Sequence, residues 1–84
     1  MDCSTIMAVL LDKRTDAAPT VQEILTRYGS IIGTRIGLHQ FNDTEEGLIL
    51  LHLNGGDNEI EDLERDLSEL NRVKVEKMTI SFDD

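Results

Sequence analysis

Cysteine, aromatic residues and basic residues are all scarce in this chain, and each shortage excludes a class of protein. The single cysteine, Cys3, rules out an internal disulfide, the CxxC pair of a heavy-metal carrier and the four thiolates of an iron–sulfur cluster. The two phenylalanines, Phe41 and Phe82, fall in a predicted turn and in the last predicted strand. An RNA-binding sheet carries its aromatic residues on central strands, so this function is not expected.

Lysine and arginine together number 8 against 17 aspartates and glutamates, which gives a formal net charge of −9. Nucleic acids and anionic membranes attract basic surfaces, whereas these few cations are dispersed along the chain. We therefore expect neither direct nucleic-acid binding nor a membrane surface as a partner.

A long hydrophobic run is also missing. The apolar run Ile6–Leu11 is too short for the core of a signal peptide and far too short to span a bilayer. A cytoplasmic location is therefore expected. With 84 residues, the chain is expected to form one domain, residues 1–84, whose modest core gains stability from association.

The apolar spacing predicts six elements in the order β-α-β-β-α-β. Two helical segments show apolar residues at intervals of three and four, and the strand segments are short and rich in Ile, Leu and Val. This order predicts an α+β fold, the ferredoxin-like plait, with a four-stranded antiparallel sheet and both helices on one face. The strands are predicted at Thr5–Leu11, Ser30–Gln40, Gly47–Leu53 and Val73–Phe82, and the helices near residues 16–28 and 57–71.

The two middle strands form a predicted hairpin with two different faces. If Leu38 pairs with Ile49 and Ile36 pairs with Leu51, the face that these four residues share is wholly apolar. The opposite face mixes polar and apolar residues, so we expect it to meet another subunit or a ligand. Its candidate interface and ligand residues are Arg35, Gly37, His39, Leu48, Leu50 and His52.

With both helices on one side, the opposite side of the sheet is left uncovered. We expect Leu48 and Leu50 on that side, with Met7 and Val9 of the first strand as further candidates. An exposed apolar patch of several hundred Å² usually marks an interaction site. We therefore expect a homodimer or homotetramer formed through this side of the sheet.

Gly33 and Gly37 lie in the second strand, where glycine lowers stability and indicates that other atoms approach closely. A β-bulge, a neighbouring subunit or a ligand could each account for them. Arg35 lies between them, and its charge calls for either an intersubunit ion pair or an anionic ligand.

The two histidines raise the alternative of a metal site. In the predicted register, His39 and His52 lie roughly 13 Å apart, because four residues of a strand separate them at about 3.3 Å each. They could share an ion only between subunits, with help from Cys3 or a carboxylate. No nucleophile–base pair or phosphate-binding GxxxxGK[ST] motif is present, so an enzyme of the small dimeric α/β-barrel type is a weaker alternative.

Several segments resemble the small proposed regulators of the iron-only hydrogenase system. The most specific one is a helix ending in Tyr28-Gly29, followed by Ile31-Ile32-x-x-Arg35-x-Gly37; Gly47–Leu53 and Val73–Ile80 continue the likeness. The resemblance implies an ACT-like domain that oligomerises and regulates, without established catalytic residues. The chain is more distantly similar to the sensing domain of nickel-responsive repressors. Those repressors bind nickel through a His-x-His motif and a cysteine, and His39, His52 and Cys3 of this chain do not match that pattern.

The residues and the resemblance together predict a non-enzymatic regulatory module that self-associates and binds a small ligand near the interface. The alternative is a metal-binding protein with an intersubunit histidine site. The residues do not identify a cofactor.

Overall fold

The computed structural model describes residues 3–38 and 46–82. These residues follow the predicted order of strands and helices, with one short 3-10 turn, Gly29–Ile31, before the second strand. The elements are β1 (Cys3–Asp12), α1 (Ala17–Arg27), β2 (Ile32–Leu38), β3 (Glu46–Leu53), α2 (Asp57–Ser68) and β4 (Val73–Ser81).

The four strands form one antiparallel sheet in the order β2-β3-β1-β4. The two central strands are β3 and β1, and the two edge strands are β2 and β4. The first strand is therefore central, as its continuous apolar run predicts. This topology confirms the predicted ferredoxin-like arrangement.

The hydrophobic core lies between one side of the sheet and the two helices. Strand residues alternate, so β1 places Met7, Val9 and Leu11 in the core. The core is completed by Leu51 and Leu53 of β3, Val73 of β4, Val21, Ile24 and Leu25 of α1, and Ile60, Leu63 and Leu67 of α2.

Met7 and Val9 were expected on the uncovered side of the sheet, and that expectation is wrong. Both side chains are fully buried in the core beneath the helices. Their neighbours Ile6, Ala8 and Leu10 point to the other side instead. Because β1 is apolar on both faces, its residue pattern does not distinguish one side from the other.

Asp12 joins the end of β1 to the turn that precedes β4. Its carboxylate accepts hydrogen bonds from Nε and Nη2 of Arg14, at 3.0 and 2.9 Å, and from Nε of Arg72 at 3.1 Å. Its backbone N–H donates to the carbonyl oxygen of Arg72. Arg72 has a φ of 64°, the left-handed region that is costly for a residue with a side chain. The contacts with Asp12 therefore hold this strained turn in place.

Side-chain contacts also fasten the helices to each other and to the sheet. The Tyr28 hydroxyl, just after α1, donates to Oδ2 of Asp66 on α2 at 2.6 Å. Nζ of Lys77 on β4 donates to Oε1 of Glu64 on α2 at 2.9 Å. The Asp66 carboxylate raises the pKa of Tyr28, and the Glu64 carboxylate raises the pKa of Lys77.

The stability of the fold is expected to fall in acid because of Asp12. Hydrogen bonds from Arg14, and then from Arg72, hold the pKa of the Asp12 carboxyl well below its ordinary value of 3.8. A carboxyl with a lowered folded-state pKa stabilises the fold above its unfolded-state pKa, and this stabilisation is lost as the pH falls below about 4. Denaturant midpoints for Asp12→Asn should therefore be lower than wild type at neutral pH and should converge with wild type in acid.

Glu23→Gln is the matched control, because it removes an exposed carboxylate whose ion pair with Arg27 is long, at 3.9 Å. It should follow the wild-type stability curve at every pH. A constant difference between Asp12→Asn and wild type from neutral pH to acid would contradict the role given to the Asp12 carboxylate.

Two glycines provide a contrast that tests the packing around the sheet. A Cβ atom at Gly55 would lie 2.7 Å from Cγ2 of the buried Ile31, whereas one at Gly37 would meet nothing within 4 Å. We expect Gly55→Ala to lower the free energy of unfolding by about 1–3 kcal/mol through overpacking. Gly37→Ala should leave it unchanged or raise it by roughly 0.5 kcal/mol. Urea titration of both variants measures the difference; equal stabilities would contradict it.

Candidate functional site

A β-bulge at Gly33 determines which side of the sheet each residue of β2 faces. Ile32 pairs with Leu53 and Thr34 pairs with His52, so Gly33 is an extra residue without a partner on β3. The close approach predicted at this glycine is therefore the bulge. A Cβ atom there would lie 3.5 Å from the His52 carbonyl oxygen.

The predicted register of the hairpin is wrong by one residue. Leu38 pairs with Leu48 rather than Ile49, and Ile36 pairs with Leu50 rather than Leu51. Side chains alternate along a strand, so a slip of one residue moves each of them to the other face. Ile36 and Leu38 therefore lie on the side of the sheet opposite to the helices.

The same slip places Arg35 and Gly37 on the helix side, so their predicted position on the uncovered face is wrong. Arg35 pairs with Leu51, whose side chain lies in the core. Nη2 of Arg35 donates a hydrogen bond of 2.5 Å to Oε1 of Gln22 on α1. This contact supplies a partner for Arg35 within the same chain. His39 lies outside the described residues.

The other side of the sheet, called here the helix-free face, has no described helix over it. Cross-strand pairing arranges twelve of its side chains in three rows that cross β2, β3, β1 and β4 in that order. Ser4 and Ile80 continue the face beyond the first row, and Glu46 continues it beyond the third. The first row is Thr34, His52, Ile6 and Met78; the second is Ile36, Leu50, Ala8 and Glu76; the third is Leu38, Leu48, Leu10 and Lys74.

Most side chains of the helix-free face are apolar, and several are strongly exposed. The relative exposure is 50% for Ile36, 40% for Leu38 and 53% for Met78. Leu48 and Leu50 lie partly buried between them, on the face where the hairpin pattern predicts them. Together with Leu48, Leu50 and the apolar residues of β1, which lie between the two edge strands, these exposed side chains form a continuous patch, which is typical of an interaction surface.

The last strand, β4, is an edge strand with one mixed face. Its pairing with β1 is regular from Val73 to Ser81, without a bulge. Val73 and Val75 face the helices, and so does Lys77, which contacts α2. Met78 is the next residue and therefore faces away from the helices. In the sequence, the alternation of apolar and polar residues shifts by one position near Lys77. This shift is the signal that places Met78 on the side opposite to Val73 and Val75.

Lys74 and Glu76 are the two charged residues in the three rows apart from the titratable His52. They lie two residues apart on the edge strand β4 and project to the same side. Both are exposed, and neither forms a hydrogen bond or ion pair with another described residue. Their opposite charges cancel, so the three rows carry little net charge in a chain of net charge −9, and the exposed Glu46 adds one acidic group on β3 beyond the third row.

A shallow groove of about 140 Å³ lies between the first and second rows of the helix-free face. Its walls are almost entirely apolar, and Thr34 and His52 contribute carbon atoms to them. A groove of this kind suits a small apolar group. It is lined by Ile6, Thr34, Ile36, Leu50, Leu51 and His52.

Residues 3–38 and 46–82 bring together no group of three or more His, Cys, Asp or Glu side chains that could hold a metal ion. Cys3 is exposed at the start of β1, and His52 stands on the helix-free face. The buried Asp12 carboxylate is bound by Arg14 and Arg72 and serves the fold.

Neither α1 nor α2 has the length and apolar character needed to cross a membrane, and no other described helix does.

Comparison with solved structures shows the same fold in other proteins. The structure of the uncharacterized protein TM1266 from Thermotoga maritima matches with a TM-score of 0.85 at 21% identity, over 95% of this chain and 100% of that chain. An ACT domain protein from Streptococcus pneumoniae matches with a TM-score of 0.54 at 14% identity, over 94% and 91% of the two chains. A dimeric ferredoxin-like protein from an uncultured marine organism has a TM-score of 0.52 at 6% identity, over 98% and 91%. The ferredoxin-like, ACT-like fold predicted above is thereby confirmed.

A search of curated proteins finds no match to this chain. A family model does match, over residues 4–77, and its description is "Iron-only hydrogenase system regulator, putative". The match spans the segments from Tyr28 to Gly37 on which the predicted resemblance was based. Because the model covers most of the sequence, the chain belongs to the TM1266-like family of iron-only hydrogenase system regulators.

Proposed function

We propose that this protein is a non-enzymatic regulatory module of an iron-only hydrogenase system. In the proposal it acts in the cytoplasm, self-associates through the helix-free face and binds a small ligand beside that interface. The observation that carries the proposal is the exposed apolar surface on a sheet whose other side is already covered by helices.

The energetic argument for self-association starts from the apolar area that the face presents to water. Each ~100 Å² of apolar surface covered on association contributes roughly 2.5 kcal/mol before association costs are subtracted. Four strands at about 4.8 Å and three rows at about 6.7 Å span roughly 400 Å² of projected surface. Covering such a patch supports association in the micromolar range, which suits a regulator that assembles and separates.

The distribution of charge favours a second copy as the occupant of the face. Two molecules of net charge −9 repel each other unless they meet where the charge is low. The acidic residues of α2 lie in the helix layer, on the other side of the sheet: Asp57, Glu59, Glu61, Asp62, Glu64 and Asp66. The helix-free face carries far fewer acidic residues than the helix layer and is therefore the more favourable place for two copies to meet.

The relatives support the regulatory part of the proposal. The family is described by a regulatory role, and the marine ferredoxin-like protein of the same fold is dimeric. In the proposal, the helix-free face is the binding surface, and the chain regulates by binding a second copy and a small ligand there.

The groove beside the proposed interface supports the ligand part of the proposal. Its volume of about 140 Å³ fits a small aliphatic group, and the His52 imidazole can donate a hydrogen bond to a carboxylate. A small aliphatic amino acid combines these two groups.

Self-association through the helix-free face predicts that Ile36→Glu separates the subunits. We expect wild type to form oligomers at micromolar concentration in sedimentation velocity runs. The variant should dissociate with a constant raised at least about tenfold, equivalent to ~1.4 kcal/mol, because a carboxylate would be buried against apolar side chains.

Thr26→Glu is the matched control, because it introduces the same charge at an exposed position of α1. It should associate as wild type does. A monomeric wild type across the micromolar range, or equal dissociation of both variants, would rule out the proposed interface.

The ligand hypothesis predicts that leucine raises the melting temperature of the wild-type protein by several degrees in a fluorimetric scan. Glycine should have little effect, since it lacks the group that fills the groove. A ligand that binds only the folded protein stabilises it in proportion to the logarithm of its concentration. His52→Ala should weaken the leucine effect. Identical curves with leucine and glycine would argue against an aliphatic amino acid as the ligand.

A further inference from the structure

Lys74 and Glu76 are the part of the helix-free face that the apolar argument leaves unexplained. They lie in the third and second rows, next to Leu10 and Ala8 on the neighbouring strand. Neither has an ion-pair partner among the described residues. A covered apolar surface with two unpaired charges at its edge would be costly, so any partner must supply groups that complement them.

When the strands of the two copies stay aligned, as in one of the two common ways that sheets pack, the copies can meet face to face about a two-fold axis in either of two orientations. An axis that crosses the strands places β4 over the partner's β4. An axis that runs along the strands places β4 over the partner's β2, which is the opposite edge of the sheet. The two orientations give Lys74 and Glu76 different neighbours, so these charges can distinguish them.

An axis along the strands brings both charges against apolar side chains. Lys74 would lie over the partner's Leu38, and Glu76 would lie over the partner's Ile36. Both charges would lose water, and neither would gain an opposite charge from the partner, which opposes association.

The other axis runs across the strands, between the second and third rows. It places the second row over the partner's third row, and the third row over the partner's second row. Lys74 then lies over the partner's Glu76, and Glu76 lies over the partner's Lys74. The same pair of Lys74 with the partner's Glu76 is therefore formed twice in the dimer, because two-fold symmetry repeats every contact of an isologous interface. Packed sheets lie about 10 Å apart with strands within about 30° of each other, a separation that these two long side chains can bridge together.

The apolar positions of the two rows are complementary in the same arrangement. The small Ala8 would receive the partner's Leu10, so a large side chain fills the space above a small one. Leu50 would meet the partner's Leu48, which is of the same size. Close packing of this kind is what gives an interface the density of a protein interior.

From this complementarity we infer that the protein forms a face-to-face dimer whose two-fold axis crosses the strands between the second and third rows of the helix-free face. Reciprocal pairs of Lys74 with the partner's Glu76 set its register. The inference rests on the self-association proposed above, and it adds the orientation of the partner and the residues that select it.

Charge reversal tests the orientation. In Lys74→Glu each dimer would hold two pairs of like charges, and the same holds for Glu76→Lys. Each single variant should therefore raise the dissociation constant about tenfold in sedimentation equilibrium. The double variant K74E/E76K restores opposite pairs and should return to within about threefold of wild type. High salt should reduce the effect of the single variants, because it screens the repulsion.

The outcomes separate this inference from the proposed function. Recovery in the double variant shows that Lys74 and Glu76 lie in the interface, and thiol cross-linking in a Cys3→Ser background then tests the axis. A mixture of Lys74→Cys and Glu76→Cys should be joined by a bismaleimide of about 10 Å, the spacing of packed sheets. Efficient joining of Lys74→Cys to Leu38→Cys instead would show the axis along the strands. A double variant as weak as the single variants, or single variants that associate as wild type does, overturns the inferred orientation while self-association stands. A monomeric wild type overturns both. Far-UV circular dichroism of all variants confirms that the exposed substitutions leave the fold intact.

Discussion

The extra residue at Gly33 is the constraint on which the surface of this protein depends. Side chains alternate between the two sides of a strand, so one unpaired residue exchanges the sides for the rest of β2. Beyond the bulge, Ile36 and Leu38 join Leu48 and Leu50 on the helix-free face. Without the bulge these two side chains would point towards the helices, and the edge of the exposed patch would carry polar and glycine positions instead.

The two sides of the sheet have different physical roles. On the helix side, full burial of apolar side chains stabilises the fold, and Asp12 secures the turn before β4 by binding Arg14 and Arg72. On the helix-free side, apolar residues stay exposed and the charges of Lys74 and Glu76 offset each other, although the chain as a whole is acidic. A surface that is costly in an isolated molecule and nearly neutral in charge is suited to reversible association with another copy.

Such a surface fits the regulatory role by which the family is described. A small module can regulate by changing its association state when a ligand binds near the interface, and this requires no catalytic group. The groove beside His52 shares Ile36 and Leu50 with the face proposed for association. Ligand binding and self-association would therefore be coupled through shared side chains.

The residue pattern alone was sufficient for the order of elements and the ferredoxin-like fold, because apolar periodicity and turn residues are local properties. The family came from a resemblance of specific segments to known regulators, which the family model then confirmed. The residue pattern also placed Leu48, Leu50 and His52 on the correct side. The side of the sheet that Arg35, Ile36 and the residues of β1 face was decided only by tertiary structure. A bulge acts on cross-strand pairing, and a central strand that is apolar on both faces carries no periodic signal, so neither effect can be read from residue order.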